Sequence, residues 1–256
     1  MRYREVIIIS ALIILALVIR VYAFSISDNA WGADPDERIR VAVKWLTAEV
    51  SRPLFPGDLW LPLHYYMISL VVALFDNIPF TPRLMHLILA ILTIPLFYKL
   101  IKMLFDEKTA VISTLFLIFY PIHVLCSVVT LSEGPFLFFL VGFLYLFFRY
   151  IEEKKLGFLA LSFAFFLCLT MIRYESWLFV IIAPVLLFAE KKRKESLVFL
   201  YFAILFPVFW MRPDLDSYCR AIFMLDRPLA SSFPEMKNHT YIPISIWGER
   251  SASWLN

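Results

Sequence analysis

The run from Val6 to Phe24 is apolar for about 19 residues, the length a helix needs to cross a bilayer. It is too long for the apolar core of a signal peptide, although Arg2 and Arg4 precede it as they would there. Comparable windows recur at 60–76, 84–105, 109–131, 135–151, 156–172, 175–189 and 196–212. The chain is 61% hydrophobic and 18% aromatic, well above the near-half apolar content of a soluble domain. The expectation is an all-α polytopic membrane protein. Only 6 glycines argue against a channel built on small-residue helix contacts. The net charge of +3 comes from basic residues scattered among the spans, which gives no case for nucleic acid. Cys126, Cys168 and Cys219 have no metal spacing, and two lie in apolar segments where cysteine acts as a small hydrophobe.

Orientation follows from four basic clusters. These are Arg2 and Arg4; Lys99, Lys102 and Lys108; Arg149, Lys154 and Lys155; and Lys191 to Lys194. All four fall on the cytoplasmic side only if 60–76 does not cross. That window opens Leu-Trp-Leu-Pro-Leu-His-Tyr-Tyr and is the most polar of the set. It reads as a re-entrant or interfacial helix on the outer side, leaving about seven transmembrane helices. Were it to span, keeping the other loops in place would put the N-terminus outside. The outer face then collects residues 25–83, the turns at 131–134 and 172–176, and a tail from 213. Residues 1–212 form the membrane module and 213–256 an outer, juxtamembrane piece.

Each outer turn carries acid. Ala-Asp-Pro-Asp-Glu-Arg-Ile-Arg (33–40) reads first as a helix start: Asp34 as N-cap, Pro35 in the first turn, Glu37 closing a capping box. Ile39, Val43 and Leu46 continue it as an amphipathic surface helix. Capping accounts poorly for Asp36. Glu133 lies in Ser-Glu-Gly-Pro-Phe between two apolar windows, where a carboxylate either starts the next span or faces a polar cavity. In Arg-Tyr-Glu-Ser-Trp (173–177), Arg173 and Glu175 form an interfacial pair or a binding pair. Three acidic turns on one face, with an arginine, could bind a cation and a phosphate and supply a base.

The order of these motifs resembles the C-type glycosyltransferase superfamily. Asp-Glu opens an amphipathic helix after the first span; Pro-Leu-His-Tyr-Tyr, Pro-Arg-Leu and Ser-Glu-Gly-Pro-Phe follow. The branch is that of protein O-mannosyltransferases and aminoarabinose transferases, over residues 1–212. The resemblance implies transfer of a sugar from a polyprenyl- or dolichyl-phosphate donor to a glycan, lipid or protein acceptor at the outer face of the cell membrane. It implies Asp36 as base or acceptor-orienting group, with Glu37 beside it, and Glu133 as the acid near donor phosphate or metal. Arg173 becomes a phosphate partner, with Glu175, His64 and Tyr65 lining the substrate. His64 stands where relatives carry tyrosine. A divalent cation (Mg or Mn), if used, would fall to Asp36 and Glu133.

Relatives have more spans and often a soluble outer domain, so a partner subunit is one expectation for this chain. The tail adds Pro228, Trp254 and an Asn238-His239-Thr240 triplet. Two other classes compete. A transporter would line a route with Glu133, Arg173 and Glu175, yet those acids sit at span ends rather than at the midplane. A scaffold would use every acid as a cap.

Overall fold

A computed structural model of the chain describes residues 2–27, 33–47 and 60–223, and all regular structure among them is helical. The chain divides into two units, Met1–Trp210 and Met211–Asn256. The architecture below is that of the first; of the second, the description covers the continuation of the last helix to Phe223. Residues 48–59 of the expected outer loop, and Pro228, Trp254 and the Asn238 triplet in the tail, lie outside the described residues.

The first helix, α1 (Arg2–Ile26), leads into the amphipathic α2 (Ala33–Leu46) and the short α3 (Leu63–Phe75). The bundle continues with α4 (Thr81–Leu104), α5 (Glu107–Phe119), α6 (Pro121–Cys126), α7 (Glu133–Glu153) and α8 (Leu156–Thr170). A 3-10 turn (Tyr174–Leu178) then precedes α9 (Phe179–Ala189) and α10 (Arg193–Phe223). Four stretches are long and apolar enough to cross a membrane: Tyr3–Ile26, Thr81–Leu104, Glu133–Glu153 and Arg193–Met211. The protein is thus an integral membrane protein of helical architecture. Leu63–Phe75, Leu156–Thr170 and Tyr174–Ala189 are apolar but shorter.

The expected continuous helix over 109–131 is instead broken. Pro121 has no N–H to give, and its ring pushes the preceding residue out of helical space. Tyr120 accordingly sits at φ −66°, ψ 114°, and α6 starts afresh after it. The expected cap at Asp34 also differs. The helix begins at Ala33, two residues before the expected first position at Pro35, so Asp34 lies within its first turn.

Ion pairs show which ends belong together. At one end Arg4 pairs with Glu107 (3.2 Å), and Lys102 with Glu5 (3.1 Å) and Glu107 (3.3 Å), joining the start of α1 to the α4–α5 turn. At the other end Arg83, near the start of α4, donates to the carbonyls of Phe24 (3.0 Å), Ser27 (2.7 Å) and Val128 (2.7 Å). So α1 leaves one end, and α4 begins at the end α1 reached. Between them α2 and α3 make no net passage, and α3 rises only about 20 Å. Later helices alternate between the same two ends. Tyr150 Oη to Glu195 (3.3 Å) holds the start of α10 near the C-terminal half of α7. Trp210 Nε1 to Tyr174 Oη (3.1 Å) returns its far part to the opposite turns.

The interior is layered by neighbours in sequence. Leu12, Ala16, Ile94, Tyr98, Ala110 and Ile118 pack α1 against α4 and α5. A phenylalanine-rich core joins α7 to α10, where Phe143 meets Phe147, Phe166, Phe179 and Phe199 at ring separations of 5.4–6.5 Å. Such aromatic pairs add about 0.5–1.5 kcal/mol each beyond burial. This rigid half carries the two turns that face α2 and α3.

Candidate functional site

Five segments meet at the end of the bundle capped by Arg83. The first turn of α2 is tied to the 127–133 turn by Thr130 Oγ1, which donates to the Pro35 carbonyl at 3.0 Å. The start of α3 is tied to the 171–177 turn by the Leu63 amide, which donates to the Met171 carbonyl at 3.0 Å. Between α2 and α3, Ser69 Oγ donates to the Ala42 carbonyl at 3.0 Å. These tethers bring distant sequence motifs together before any functional side chain is considered.

A first polar network runs inward from α2. Arg38 is buried at 2% exposure, and both its Nε and Nη2 donate to Asp34 Oδ2 at 3.2 Å. Its guanidinium lies 4.5 Å from the Trp60 ring centroid and reaches His64 Nδ1 at 3.5 Å. His64 Nε2 is 3.0 Å from His86 Nε2, and His86 Nδ1 is 2.7 Å from the Pro82 carbonyl. Both rings are fully buried. The Pro82 carbonyl, at 2.7 Å, sets the tautomers, and the Leu131 carbonyl also lies within hydrogen-bond reach of His86. His86 must carry hydrogen on Nδ1, so its Nε2 accepts from His64 Nε2–H, and His64 Nδ1 accepts from Arg38. Tyr65, also fully buried, lies within electrostatic reach of Arg38, Asp34 and Glu37.

The chain of two rings is satisfied only as a pair. Replacing His86 by Phe leaves His64 Nε2–H without an acceptor, a cost of about 1–3 kcal/mol. Replacing both rings removes donor and acceptor together. We expect thermal unfolding in detergent to show strong coupling: the His64→Phe/His86→Phe double variant loses less stability than the two single losses summed. Additive losses would show that the rings act independently.

The second network crosses from α7 to the 171–177 turn. Arg173 Nη1 pairs with Glu133 Oε1, and its Nη2 with Glu175 Oε1 at 2.7 Å. Ser132 Oγ is 3.4 Å from the same guanidinium. The two carboxylates, Glu175 foremost, hold the Arg173 proton more firmly than usual. Glu133 Oε2 is buried without a hydrogen-bond partner. Ser132 stands at the N-cap of α7 but makes no side-chain cap bond, so Glu133 is engaged across the bundle. The two networks touch at Gly134. A Cβ there would lie 2.6 Å from the Cys126 carbonyl oxygen and 3.6 Å from His86 Cδ2.

Backbone cannot yield as a flexible side chain can. We therefore expect Gly134→Ala to cost about 1–3 kcal/mol of stability by overpacking. Gly157→Ala, where nothing lies within 4 Å of the added carbon, is the matched control and should be neutral or slightly stabilising in the same melt.

Each residue expected from sequence has a defined place. Glu37 pairs with Arg40 through Nε at 2.8 Å, which is a lateral ion pair on α2 and not half of a capping box. Asp36 is half-buried in that first turn, with partners of its own. His64 and Tyr65 lie on α3 beside Arg38, and Glu133, Arg173 and Glu175 form the second network. Sequence reading missed Arg38 as a member of the site, and it missed His86 altogether. The available signal was the presence of histidines inside apolar windows, since buried ionisable groups in such segments mark function. Among the described residues no three His, Cys, Asp or Glu side chains gather as a metal would need. The paired histidine nitrogens are hydrogen-bonded to each other, and Glu133 is held by arginine.

Asp34 and Glu37 are offset by Arg38 and Arg40, and one of the Glu133–Glu175 pair by Arg173. One acid equivalent of that pair remains, which suits the stabilisation of developing positive charge.

A helical membrane bundle with carboxylates and arginines gathered at one end of its passages has the groups that a membrane glycosyltransferase would need. Comparison with protein families bears this out: residues 53–211 match the family described as dolichyl-phosphate-mannose-protein mannosyltransferase, and the chain belongs to that family. The matched region contains α3 to α9 and most of the described part of α10, hence His64, His86, Glu133 and Arg173. No curated protein matched the chain.

Proposed function

We propose that this protein transfers a sugar from a polyprenyl- or dolichyl-phosphate donor to an acceptor on the outer side of the cell membrane, with its N-terminus cytoplasmic. The observation that supports the reading is the Thr130–Pro35 bond, which ties the first turn of α2, where Asp36 stands, to the turn that leads into Glu133 and its Arg173 partner. In this reaction the acceptor oxygen attacks the anomeric carbon, and the bond from that carbon to the phosphate oxygen breaks. The electron pair leaves with the lipid phosphate, and the acceptor proton passes to a carboxylate. Asp36 takes that proton, and Glu37 orients beside it. Glu133 faces the sugar, where developing positive charge is stabilised by a fixed carboxylate. Arg173 takes a phosphate oxygen when Glu175, the more exposed of its two partners, yields its place. His64 and Tyr65 form the floor.

The lipid chain has an apolar place as well. Phe163, Leu167, Phe202, Leu205, Phe206 and Phe209 line a groove of about 510 Å³ between α8 and α10. The acceptor class (glycan, lipid or protein), a partner subunit and a divalent cation are open variables of the assay. The test is transfer or hydrolysis by the purified protein in lipid, over several donor sugars and acceptors, with cation and with chelator. Turnover that collapses in Asp36→Asn supports the reading. A folded protein that turns over no donor would defeat it.

A further inference from the structure

A third polar cluster lies apart from both networks, inside the passage of α1. Arg20 is 0% exposed, and the salt bridges found among the described residues pair it with no carboxylate. Its Nη1 donates to the Ala16 carbonyl at 3.3 Å, and its Nη2 lies 2.7 Å from His123 Nδ1 on α6. The donation from Arg20 assigns His123 Nδ1 as an acceptor, which places the ring hydrogen on Nε2. The Leu117 carbonyl, 3.3 Å from the same Nδ1, then receives nothing from it. Arg20 Nε and His123 Nε2 are both buried without a partner. The cluster therefore holds one uncompensated charge and two unmet N–H donors.

Every unmet requirement here has the same sign. Burying a charge without a counter-ion is expensive, and each orphan donor adds a further cost. The ligand class that answers a buried cation and unmet N–H donors is an anion with several acceptor oxygens. Arginine matches phosphate oxygens in particular through its planar fork of donors. The wall of the cluster is α6, a single six-residue helix set off by the break at Tyr120–Pro121. Tyr120, just before this helix, and Ile122 on it are exposed, so α6 is the element that lies between the cluster and the outside of the bundle. The other bundle arginines are committed, Arg38 and Arg173 to carboxylates and Arg83 to carbonyls.

We propose that Arg20 and His123 form a binding site for a phosphate-class oxyanion, separate from the Asp36–Glu133 site. The anion arrives either as the headgroup of a lipid phosphate or as free phosphate. The site stands independently of the transfer reaction, so its test is binding to the full chain. Thermal unfolding in a phosphate-free maltoside detergent and phosphate-free buffer would be followed with a short-chain polyprenyl phosphate, the matching uncharged polyprenol, and inorganic phosphate, for wild type and Arg20→Met. The wild-type midpoint should rise with a phosphate-bearing species and not with the polyprenol. Arg20→Met should unfold at or above the wild-type midpoint without ligand, because an uncompensated buried charge has been removed. It should bind phosphate species about tenfold or more weakly and lose the ligand-induced rise. A rise with polyprenyl phosphate alone assigns the lipid-borne source; an equal rise with inorganic phosphate assigns the free anion. The proposal is overturned if no phosphate species stabilises wild type, or if Arg20→Met keeps the rise. It is equally overturned if Arg20→Met unfolds earlier without ligand, which would make Arg20 structural.

Discussion

Asp36→Asn is expected to lower sugar transfer by about two to four orders of magnitude, the range a positioned base contributes, without unfolding the protein. Asparagine keeps the size and hydrogen-bonding reach of aspartate but cannot take a proton. Asp36 is half-buried at the start of α2, and the helix is held there by the Thr130–Pro35 and Ser69–Ala42 bonds, neither of which uses Asp36. Asp36 has interactions of its own, which asparagine can keep by hydrogen bonding, so the thermal midpoint should fall by no more than a few degrees. The contrast with Asp34→Asn decides the assignment. Asp34 supports buried Arg38, so its replacement should lower stability and transfer together. If Asp36→Asn turns over at the wild-type rate, Asp36 is not the base.

How far the sequence foretold this site depends on the distance each contact spans. Apolar runs located α1, α4, α7 and α10 because lipid imposes one composition on a whole span. The acids at 34–37, 133 and 175 were visible for the same reason: a charge stands out against an apolar background. The pairing of those charges was not visible. Arg38 looked like one more polar residue on an amphipathic face, yet it is buried because Trp60, His64 and Asp34 enclose it. His64 lies 26 residues from Arg38 and 22 from His86, and no periodicity links positions on three separate helices. Likewise Asp34 and Glu37 have the spacing of a capping box, but a helix starting at Ala33 turns both toward arginines one turn on. Local pattern could identify the residue types. Only tertiary contact could decide their partners.

Glu133 and Arg173 should respond to substitution very differently, and the asymmetry separates chemistry from scaffolding. In Glu133→Gln, Arg173 keeps Glu175 at 2.7 Å, and the buried Oε2 position no longer carries charge. Stability should hold or rise slightly, while transfer falls about a hundredfold or more through loss of the fixed carboxylate. In Arg173→Gln, Glu133 and Glu175 lose their shared cation and repel one another. The pair is partly exposed, so the loss is screened below the several kcal/mol of a fully buried pair, to about 1–2 kcal/mol. Transfer should fall as well. The double variant Glu133→Gln/Arg173→Gln removes the repulsion, so it should regain most of the lost stability and none of the activity. Unfolding midpoints and initial transfer rates on the same four proteins are sufficient. If the double variant is no more stable than Arg173→Gln alone, the guanidinium holds the 171–177 turn by contacts other than Glu133. Recovery of stability with activity still absent would identify Glu133 as a carboxylate held for reaction, at the start of a helix that does not need it as a cap.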